Sequence, residues 1–570
     1  MSTRSESENY SEAGSDADLT RRAREALAYG GHHRMLLRPV YEDEEGVFPE
    51  FAVAAEGYEL TAADGRTFVD WAAAWGPVLL GYRHPEVEEA VRTQLEAGPM
   101  MSLAHPVEVE LAETLIEMVP CAEMVAFGKN GSDVTTAAVR VARAATGRDL
   151  VLQCGFHGFH DWYTCQYRAK NVHGIPKALR AFVHEFPYND LDALEWLFMR
   201  YPEEVAAVVM EPVNLVLPEP GYLEGVRDLT RQHGALLVFD EMVTGFRLAN
   251  GGAQELFGVT PDLACLGKGI ANGMPLSAIV GQREYMEHLP HTAWGMTFRG
   301  ETVSLAAALA VMRILRREPV SEHLAEIGSR VRDTFRKACR DQGVQADMLG
   351  PPARMTFEFA DAGALDAGRL RTLFVRECAR NGVLTTGTLL PSYAHDDRAV
   401  ELTASGFAAA LERVAEAIRS GRERLAEAIT AGFEDNRSGR NGAAGTVPAG
   451  TIEAIRELPA RLEVRGWLLL EDGPPDTVEA VAPGGEVRIA QQVERQDVAD
   501  VYSGVANAAA SGFVLTLPAT VFAPGDRYEF TIRARRRGRT SFRCQVVRAR
   551  EGMGSAPGAP RLEADGVLYI

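Results

Sequence analysis

Val87, Val91 and Leu95 recur four residues apart within Pro85–Ala97, which predicts one apolar face of a helix. Short, nearly continuous apolar runs then appear at Leu150–Gln153, Val205–Met210, Leu236–Phe239 and Leu263–Leu266. Runs of this kind, separated by helical stretches, predict strands of a mostly parallel sheet buried on both faces. Longer helical patterns cover Ser304–Arg317 and Glu322–Cys339, and Phe407–Ala431 reads as a terminal helix. The fold class of this first regime, about Thr20–Asp435, is therefore α/β.

A stretch rich in Gly, Asn and Ser follows at Glu434–Gly450, and its composition predicts a linker centred on 436–450. Beyond it the period changes. Leu462–Leu470, Val478–Ala482, Val487–Gln491, Gly512–Leu517 and Tyr528–Ala534 read as short strands. Turn signals at Asp472–Pro475, Pro483–Gly485 and Pro524–Asp526 separate them. Strands at this spacing predict a C-terminal all-β sandwich domain over 451–550, with an irregular tail at 551–570. The first 20 residues are polar and acidic and read as a disordered leader.

Composition narrows the function. The chain has 570 residues and a net charge of −20, which argues against a general nucleic-acid or anionic-membrane binder. No apolar run reaches the length of a membrane span. The seven cysteines are scattered, with no C-x-x-C pair, a usage that fits a reducing cytoplasm. One basic run, RARRRGR at 533–539, stands out in an acidic chain. It reads either as a solvated strand end and hairpin turn or as a ligand site.

The candidate chemistry lies at two strand ends. The run LLVF leads into Asp240, and LACL leads into Gly267-Lys268-Gly269. Open α/β sheets bind ligands at the carboxyl ends of their strands. A lysine placed there can form a Schiff base if its surroundings lower its pKa enough to yield free amine. An aspartate beside a pyridinium nitrogen would keep that nitrogen protonated and the ring electron-withdrawing. Taken singly, a lysine between glycines is often a surface turn, and an Asp after a strand is often a cap.

The ordered set is more specific. VFDEMVTGFR, GVTPDLACLGKGIANGMPLSAIVG and MTFRGETVSLAAALA together resemble the signature region of class III aminotransferases that use pyridoxal 5′-phosphate (PLP). Within that class the chain is most similar to the glutamate-1-semialdehyde aminomutase-like branch, from about Phe51 to Ala431. DWAAAWGPVLLGYRHPEV resembles the family's substrate-side opening, GKNGSDVTTAAVRVARAATGRD its phosphate-binding turn, and GFHG at 155–158 its ring-stacking segment. The resemblance implies the PLP fold type I. Its large domain would span about 100–320, and a smaller α+β domain would form from the N-terminal segment and about 321–435.

The resemblance also implies roles. Lys268 would carry the cofactor as a Schiff base, and Asp240 would pair with its ring nitrogen. Gly131 and Ser132 would bind the phosphate at a helix N-terminus, unless Ser132 or Asp133 serves only as an N-cap. Phe156 would stack on one face of the ring and Met242 would lie against the other. His157 matches a position near the ring, with a hydrogen-bonded structural histidine as the alternative. Glu211 belongs to a Glu-Pro motif, and Asn214 would reach the cofactor's phenolic oxygen. Thr297 would reach the phosphate from a neighbouring subunit, which implies a homodimer with shared active sites. Trp75 and Arg299 are the candidate substrate contacts; Arg299 would bind an anionic group or else pair with an acid such as Glu301.

The implied activity transfers an amino group from a small-molecule donor, such as glutamate, to a carbonyl acceptor. The segment TTGTLLPSYAHDD lacks the acidic residue expected of a true glutamate-semialdehyde aminomutase. The β domain resembles modules attached to glycan-building enzymes, which suggests a keto or aldehyde sugar as acceptor. An aminomutase and a non-catalytic scaffold that binds a glycan or protein are the other readings.

Overall fold

The computed structural model describes residues 16–28, 47–166, 173–362 and 365–420, together with strands between 449 and 569. The chain divides into two units, Met1–Gly439 and Arg440–Ile570.

Three strands open the first unit: β1 (Ala52–Glu56), β2 (Glu59–Ala62) and β3 (Thr67–Asp70). A seven-stranded sheet follows, from β4 (Met124–Gly128), β5 (Leu150–Cys154), β6 (Val183–Glu185), β7 (Val205–Met210), β8 (Leu236–Asp240), β9 (Leu263–Leu266) and β10 (Ser277–Gly281). Its order is β4-β10-β9-β8-β7-β5-β6. Strands β6, β5, β7, β8 and β9 run parallel, while β10 is antiparallel to both its neighbours.

Every residue of β5, β7, β8, β9 and β10 is buried, so these strands read as unbroken apolar runs. Helix Gly131–Thr146 covers one face through Val134, Ala137, Ala138 and Val141, packed with Val209, Val238 and Cys265. Helices Leu191–Arg200 and Tyr222–His233 cover the other, where Leu194, Phe198 and Val226 meet Leu152, Val208 and Phe239.

A buried ion pair ties one of these helices to the sheet. Arg227 donates from Nη1 and Nη2 to the two oxygens of Asp262, at 2.6 and 2.7 Å, and Leu237 N donates to the same carboxylate at 2.7 Å. Removing the cation would strand a buried charge, so Arg227→Ala is expected to destabilise the unit by about 3–5 kcal/mol. A urea midpoint close to that of the parent protein would contradict this.

The remaining strands are β11 (Ala346–Leu349), β12 (Met355–Phe359), β13 (Val383–Leu384) and β14 (Thr388–Leu389). The last of these closes a three-stranded sheet with β11 and β12, while β13 runs parallel to β3 and completes the sheet β1-β2-β3-β13. Phe335, Phe357, Phe374 and Phe407 form a buried cluster beneath them, with Phe357 and Phe374 ring centroids 4.9 Å apart.

Several expectations are corrected. The terminal helix spans Asp397–Ser420 and so begins ten residues before the expected Phe407. It runs through Gly406, where a Cβ would lie 2.6 Å from Val383 Cγ2, so close packing on β13 demands glycine inside the helix. The expected continuation to Ala431 lies outside the described residues. A helix at Asp16–Ala26 also starts within the segment read as a disordered leader, with Arg21 paired to Asp18 and Glu25 one turn apart. Residues 1–15 lie outside the description.

In the second unit the described residues are all in strands. Ala449–Leu458, Arg461–Leu469, Gly512–Pro518 and Gln491–Val493 form one antiparallel sheet in that order. Val487–Ile489, Thr477–Val481, Arg527–Arg536, Arg539–Ala549, Val567–Tyr569 and Arg561–Leu562 form another. The run expected as one strand at Val487–Gln491 is thus split between two sheets. The tail expected to be irregular contributes two strands, one of them parallel to Arg539–Ala549. The basic run 533–539 spans a strand end and the start of the next, with Arg536 opposite Arg539. Most of the expected linker lies outside the described residues.

Six cysteines, Cys121, Cys154, Cys165, Cys265, Cys339 and Cys378, are buried free thiols. Among the described residues no helix is long and apolar enough to cross a membrane, and no cluster of side chains could hold a metal ion.

Candidate active site

Parallel strands align their carboxyl ends, and four neighbours bring the site together. Gly155–His157 follows β5, Glu211–Asn214 follows β7, Asp240 ends β8, and Gly267-Lys268 follows β9. This places seven of the expected residues along one edge of the sheet: Phe156, His157, Glu211, Asn214, Asp240, Met242 and Lys268.

Asp240 is 2% exposed in its side chain, and its Oδ2 lies 2.8 Å from His157 Nδ1, whose ring is fully buried. Its Oδ1 accepts from Met242 N at 3.1 Å. A carboxylate can accept about four hydrogen bonds, so Asp240 keeps capacity for a ring N–H. Thr135 Oγ1 donates to the carbonyl of His157 and anchors the histidine from helix Gly131–Thr146.

Lys268 has φ of +46°, in the left-handed region. Burial pushes its amine down from 10.5 to about 8, assisted by the Arg354 and Arg247 charges and opposed by Glu211 and Asp240. At pH 7 roughly one Lys268 in ten is then neutral, against about one in three thousand for an ordinary lysine.

Gly131 opens the helix Gly131–Thr146, where backbone N–H groups and the helix dipole favour an anion. The N-cap is Asn130 rather than Ser132 or Asp133; Asp133 Oδ2 instead accepts from Asn130 N at 2.7 Å. Ser132 Oγ accepts from Phe159 N at 3.1 Å. That contact needs Gly158, because a Cβ there would lie 2.2 Å from Ser132 Oγ. Met242 Sδ fills the space between two glycines: a Cβ at Gly131 would approach it to 2.9 Å, and one at Gly267 to 2.6 Å. Phe156 keeps 57% of its surface exposed, with its edge to Tyr163.

Glu211 is fully engaged. Its Oε2 accepts from Phe156 N at 3.1 Å and Asn214 Nδ2 at 2.9 Å, and its Oε1 accepts from Arg354 Nη1 at 3.1 Å. Thr297 and Arg299 lie on an exposed segment, and no hydrogen bond of their side chains links them to Lys268 within this chain. Arg299 does not pair with Glu301. That carboxylate holds Lys129 Nζ at 2.7 Å and caps helix Thr302–Arg317 through Val303 N.

Trp75 sits in an unusual turn. Ala73, Ala74 and Trp75 have φ of 45°, 51° and 69°, and Gly76 follows at 105°. Left-handed backbone costs a non-glycine residue about 1–2 kcal/mol, so the surrounding structure must impose it.

Three residues on segments that pack around Lys268 were given no role in the sequence reading. Arg247 is 1% exposed and donates to the carbonyls of Pro391, Ala353 and Gly76 at 2.8, 3.2 and 3.3 Å. Burial and the neighbouring Arg354 charge push its guanidinium down to about 9. Arg354 and the buried Asp70 are the others. Arg247 stood inside the quoted TGFR motif, but its partners are distant in sequence, and Arg354 carries no local signal at all.

The chain belongs to the class-III aminotransferase family, whose family model matches residues 40–411. It is 35% identical over 390 residues to 3-aminobutyryl-CoA aminotransferase from Cloacimonas acidaminovorans (strain Evry), covering 67% of this chain and 91% of that one. It is 36% identical over 399 residues to glutamate-1-semialdehyde 2,1-aminomutase from Syntrophobacter fumaroxidans, covering 65% and 92%. Among solved structures, the PLP internal aldimine form of the FumI protein of Sphingopyxis sp. MTA144 superposes with a TM-score of 0.66 at 31% identity. That superposition covers 71% of this chain and 97% of FumI.

The enzyme is thus a PLP-dependent aminotransferase of fold type I, acting on small molecules. The site fits the cofactor: a lysine with a lowered pKa, a buried carboxylate with spare acceptor capacity, and a helix N-terminus opening at Gly131 and Ser132. Were Lys268 the residue that takes up PLP, only its neutral amine could attack, and the uptake rate of the apo-protein would rise about tenfold per pH unit below about 8 and level off above it. The visible absorption band, followed against pH, measures this. A rate still rising tenfold per unit at pH 9.5 would mean that Lys268 is an ordinary lysine.

Proposed function

We propose that this enzyme moves an amino group from an amino-acid donor such as L-glutamate to a carbonyl acceptor, with Lys268 as the residue that holds PLP and shuttles the proton. The observation that carries this reading is the placement of a lysine with a low pKa and the Asp240–His157 pair on the ends of adjacent strands β9 and β8. When bound, PLP supplies the electrophilic carbonyl and the electron-withdrawing ring.

Each residue has a defined task. With PLP bound, Lys268 would be the base and acid that moves a proton to and from the donor's α-carbon. Asp240 would hold the proton on the ring nitrogen, its carboxylate oriented by His157 through Nδ1. Gly131 and Ser132 bind the phosphate. Met242, in its place between Gly131 and Gly267, would support one face of the ring, and Phe156, whose side chain is exposed, would cover the other. Asn214, steadied by Glu211, donates toward the phenolic oxygen. Thr297 of a second subunit completes the phosphate site, so the working form is a homodimer in the cytoplasm. Trp75 and Arg299 meet the substrate, with the Arg299 guanidinium offered to an anionic group because Glu301 is already taken by Lys129.

A second reading, an aminomutase, draws on the likeness to glutamate-1-semialdehyde aminomutases and would need no external donor. The C-terminal unit is read as a β-sandwich module, and a keto or aldehyde sugar is the acceptor that its likeness to glycan-building enzymes suggests.

The absorption spectrum of the PLP-loaded enzyme, before and after L-glutamate, tests the reading. Conversion of the long-wavelength band to the pyridoxamine band is expected. A loaded enzyme unmoved by L-glutamate, but able to isomerise an amino aldehyde unaided, would replace it with the aminomutase reading.

A further inference from the structure

We infer that Asp70 is a positioning residue for Lys268: its carboxylate locks the left-handed turn Ala73–Gly76 against the lysine's side chain. The inference rests on Lys268 being the residue that holds the cofactor.

The turn is in direct contact with the lysine. A Cβ built on Gly76 would lie 3.4 Å from Lys268 Cδ, so the Gly76 backbone walls the lysine's methylenes. The chain then runs on along the Lys268 loop. A Cβ at Gly269 would meet Leu79 Cβ at 3.3 Å, Leu80 N donates to Asn272 Oδ1 at 2.8 Å, and Asn272 Nδ2 donates to Gly81 O at 2.9 Å. The exit of the turn is therefore stapled to the segment that carries Lys268. Arg247 binds the carbonyl of Gly76 from below.

The entry has a different anchor. Asp70 ends β3, and its side chain is buried. Its Oδ1 accepts from Ala72 N at 2.8 Å, and its Oδ2 accepts from Tyr82 OH at 2.6 Å. One carboxylate thus ties the residue before the turn to a residue after it. Two backbone bonds, Trp75 N to Ala72 O and Gly76 N to Ala73 O, close the turn itself. Short-range bonds of this kind form equally well in a right-handed turn, which Ala73, Ala74 and Trp75 would prefer. The clamp between Ala72 and Tyr82 selects the left-handed path, and that path places Gly76 on Lys268.

Function follows from exclusion of water. A turn pressed on the lysine keeps its amine desolvated, the condition that favours the neutral form. It also fixes the backbone of Trp75, the proposed substrate contact, which lies inside the turn. Releasing the turn admits water to Lys268 and loosens Trp75 without removing any group that reacts.

The experiment compares PLP-loaded wild type with Asp70→Ala, Asp70→Asn and Tyr82→Phe. The first readout is the pH midpoint of the visible band of the PLP–Lys268 linkage, which needs no substrate. Solvation favours the protonated form, so the midpoint is expected to rise by about half a pH unit or more in Asp70→Ala. The asparagine variant, which retains an acceptor for Ala72 N, is expected to fall between it and wild type. The second readout is the L-glutamate half-reaction, in which KM is expected to rise about fivefold or more while the maximal rate stays within about threefold. A residue that only supported the fold would lower yield or Tm and leave both midpoint and KM where they were, and that result overturns the inference. If Asp70→Ala does not fold, Tyr82→Phe, which deletes a single hydroxyl, decides by the same midpoint. A wild type inert to L-glutamate would sink the donor assignment alone, because the midpoint still reports on the turn. A wild type with no visible band would sink both.

Discussion

Replacing Lys268 with alanine is expected to lower the rate of the amino-acid half-reaction by at least about 10³-fold, even at saturating PLP. General acid–base catalysis by a positioned side chain typically supplies about 10²–10⁴ in rate. Arg247 and Arg354 bear on its charge, but Arg247, though pushed down to about 9, is still mostly protonated near pH 7 and makes a poor base there. Stopped-flow absorbance of the pyridoxamine band is the measurement, and a variant within tenfold of wild type would show that another group moves the proton. The apo-variant should not be less stable for lack of the lysine at pH 7. A lysine whose folded pKa is depressed from 10.5 to about 8 penalises the folded chain in full below about 8, and the penalty fades as pH rises toward 10.5. Alanine removes that penalty, so loss of activity and loss of stability separate cleanly in this variant.

Asp240→Ala is expected to be nearly as damaging, for a different reason. The carboxylate is buried against His157, whose Nε2 already lacks a partner. A preorganised group that stabilises charge during the reaction is typically worth about 10²–10³ in rate, or about 2.7–4 kcal/mol. Loss of the Asp240 carboxylate is expected to lower kcat/KM by roughly that factor. Asp240→Asn keeps the shape and the Met242 N contact but not the charge, so it should lie close to the alanine variant. Near-wild-type kcat/KM in Asp240→Asn would mean that shape, rather than charge, is what the ring requires. The PLP dissociation constant, measured alongside, separates weaker binding from slower chemistry.

The parts of the fold legible in the sequence are those fixed by local pattern. Strands β5, β7, β8 and β9 are buried on both faces, so their apolar runs are unbroken. In contrast, β1 exposes four of its five residues and half-buries the other, leaving no pattern to read. Arg539–Ala549 intersperses Arg, Gln and Ser with its apolar residues, and Ala449–Leu458 does much the same with Glu and Arg. The placement of Lys268 and Asp240 at neighbouring strand ends was legible because a strand end is a local signal. Asp70, Arg247 and Arg354 were not. Arg247 and Arg354 act through partners far away in sequence, such as Gly76 and Pro391 for Arg247, and a buried arginine satisfied by carbonyls leaves no complementary acid to look for. Asp70 binds Ala72 and Tyr82 close by, but the left-handed path of Ala73, Ala74 and Trp75 between them carries no sequence signal.

The parallel pairing of β3 with β13 sets a timetable for synthesis. Val69 and Asp70 meet Val383 and Leu384 across roughly 310 residues of chain. At about 5–20 residues per second, the ribosome needs roughly 15–60 s between making the two strands. For that interval β3 has a bare edge, and the strand that ends in Asp70 waits without its neighbour. The seven-stranded sheet, complete by Gly281, can assemble meanwhile. Its edge residues are therefore gathered well before the nascent chain supplies the strand that seats Asp70.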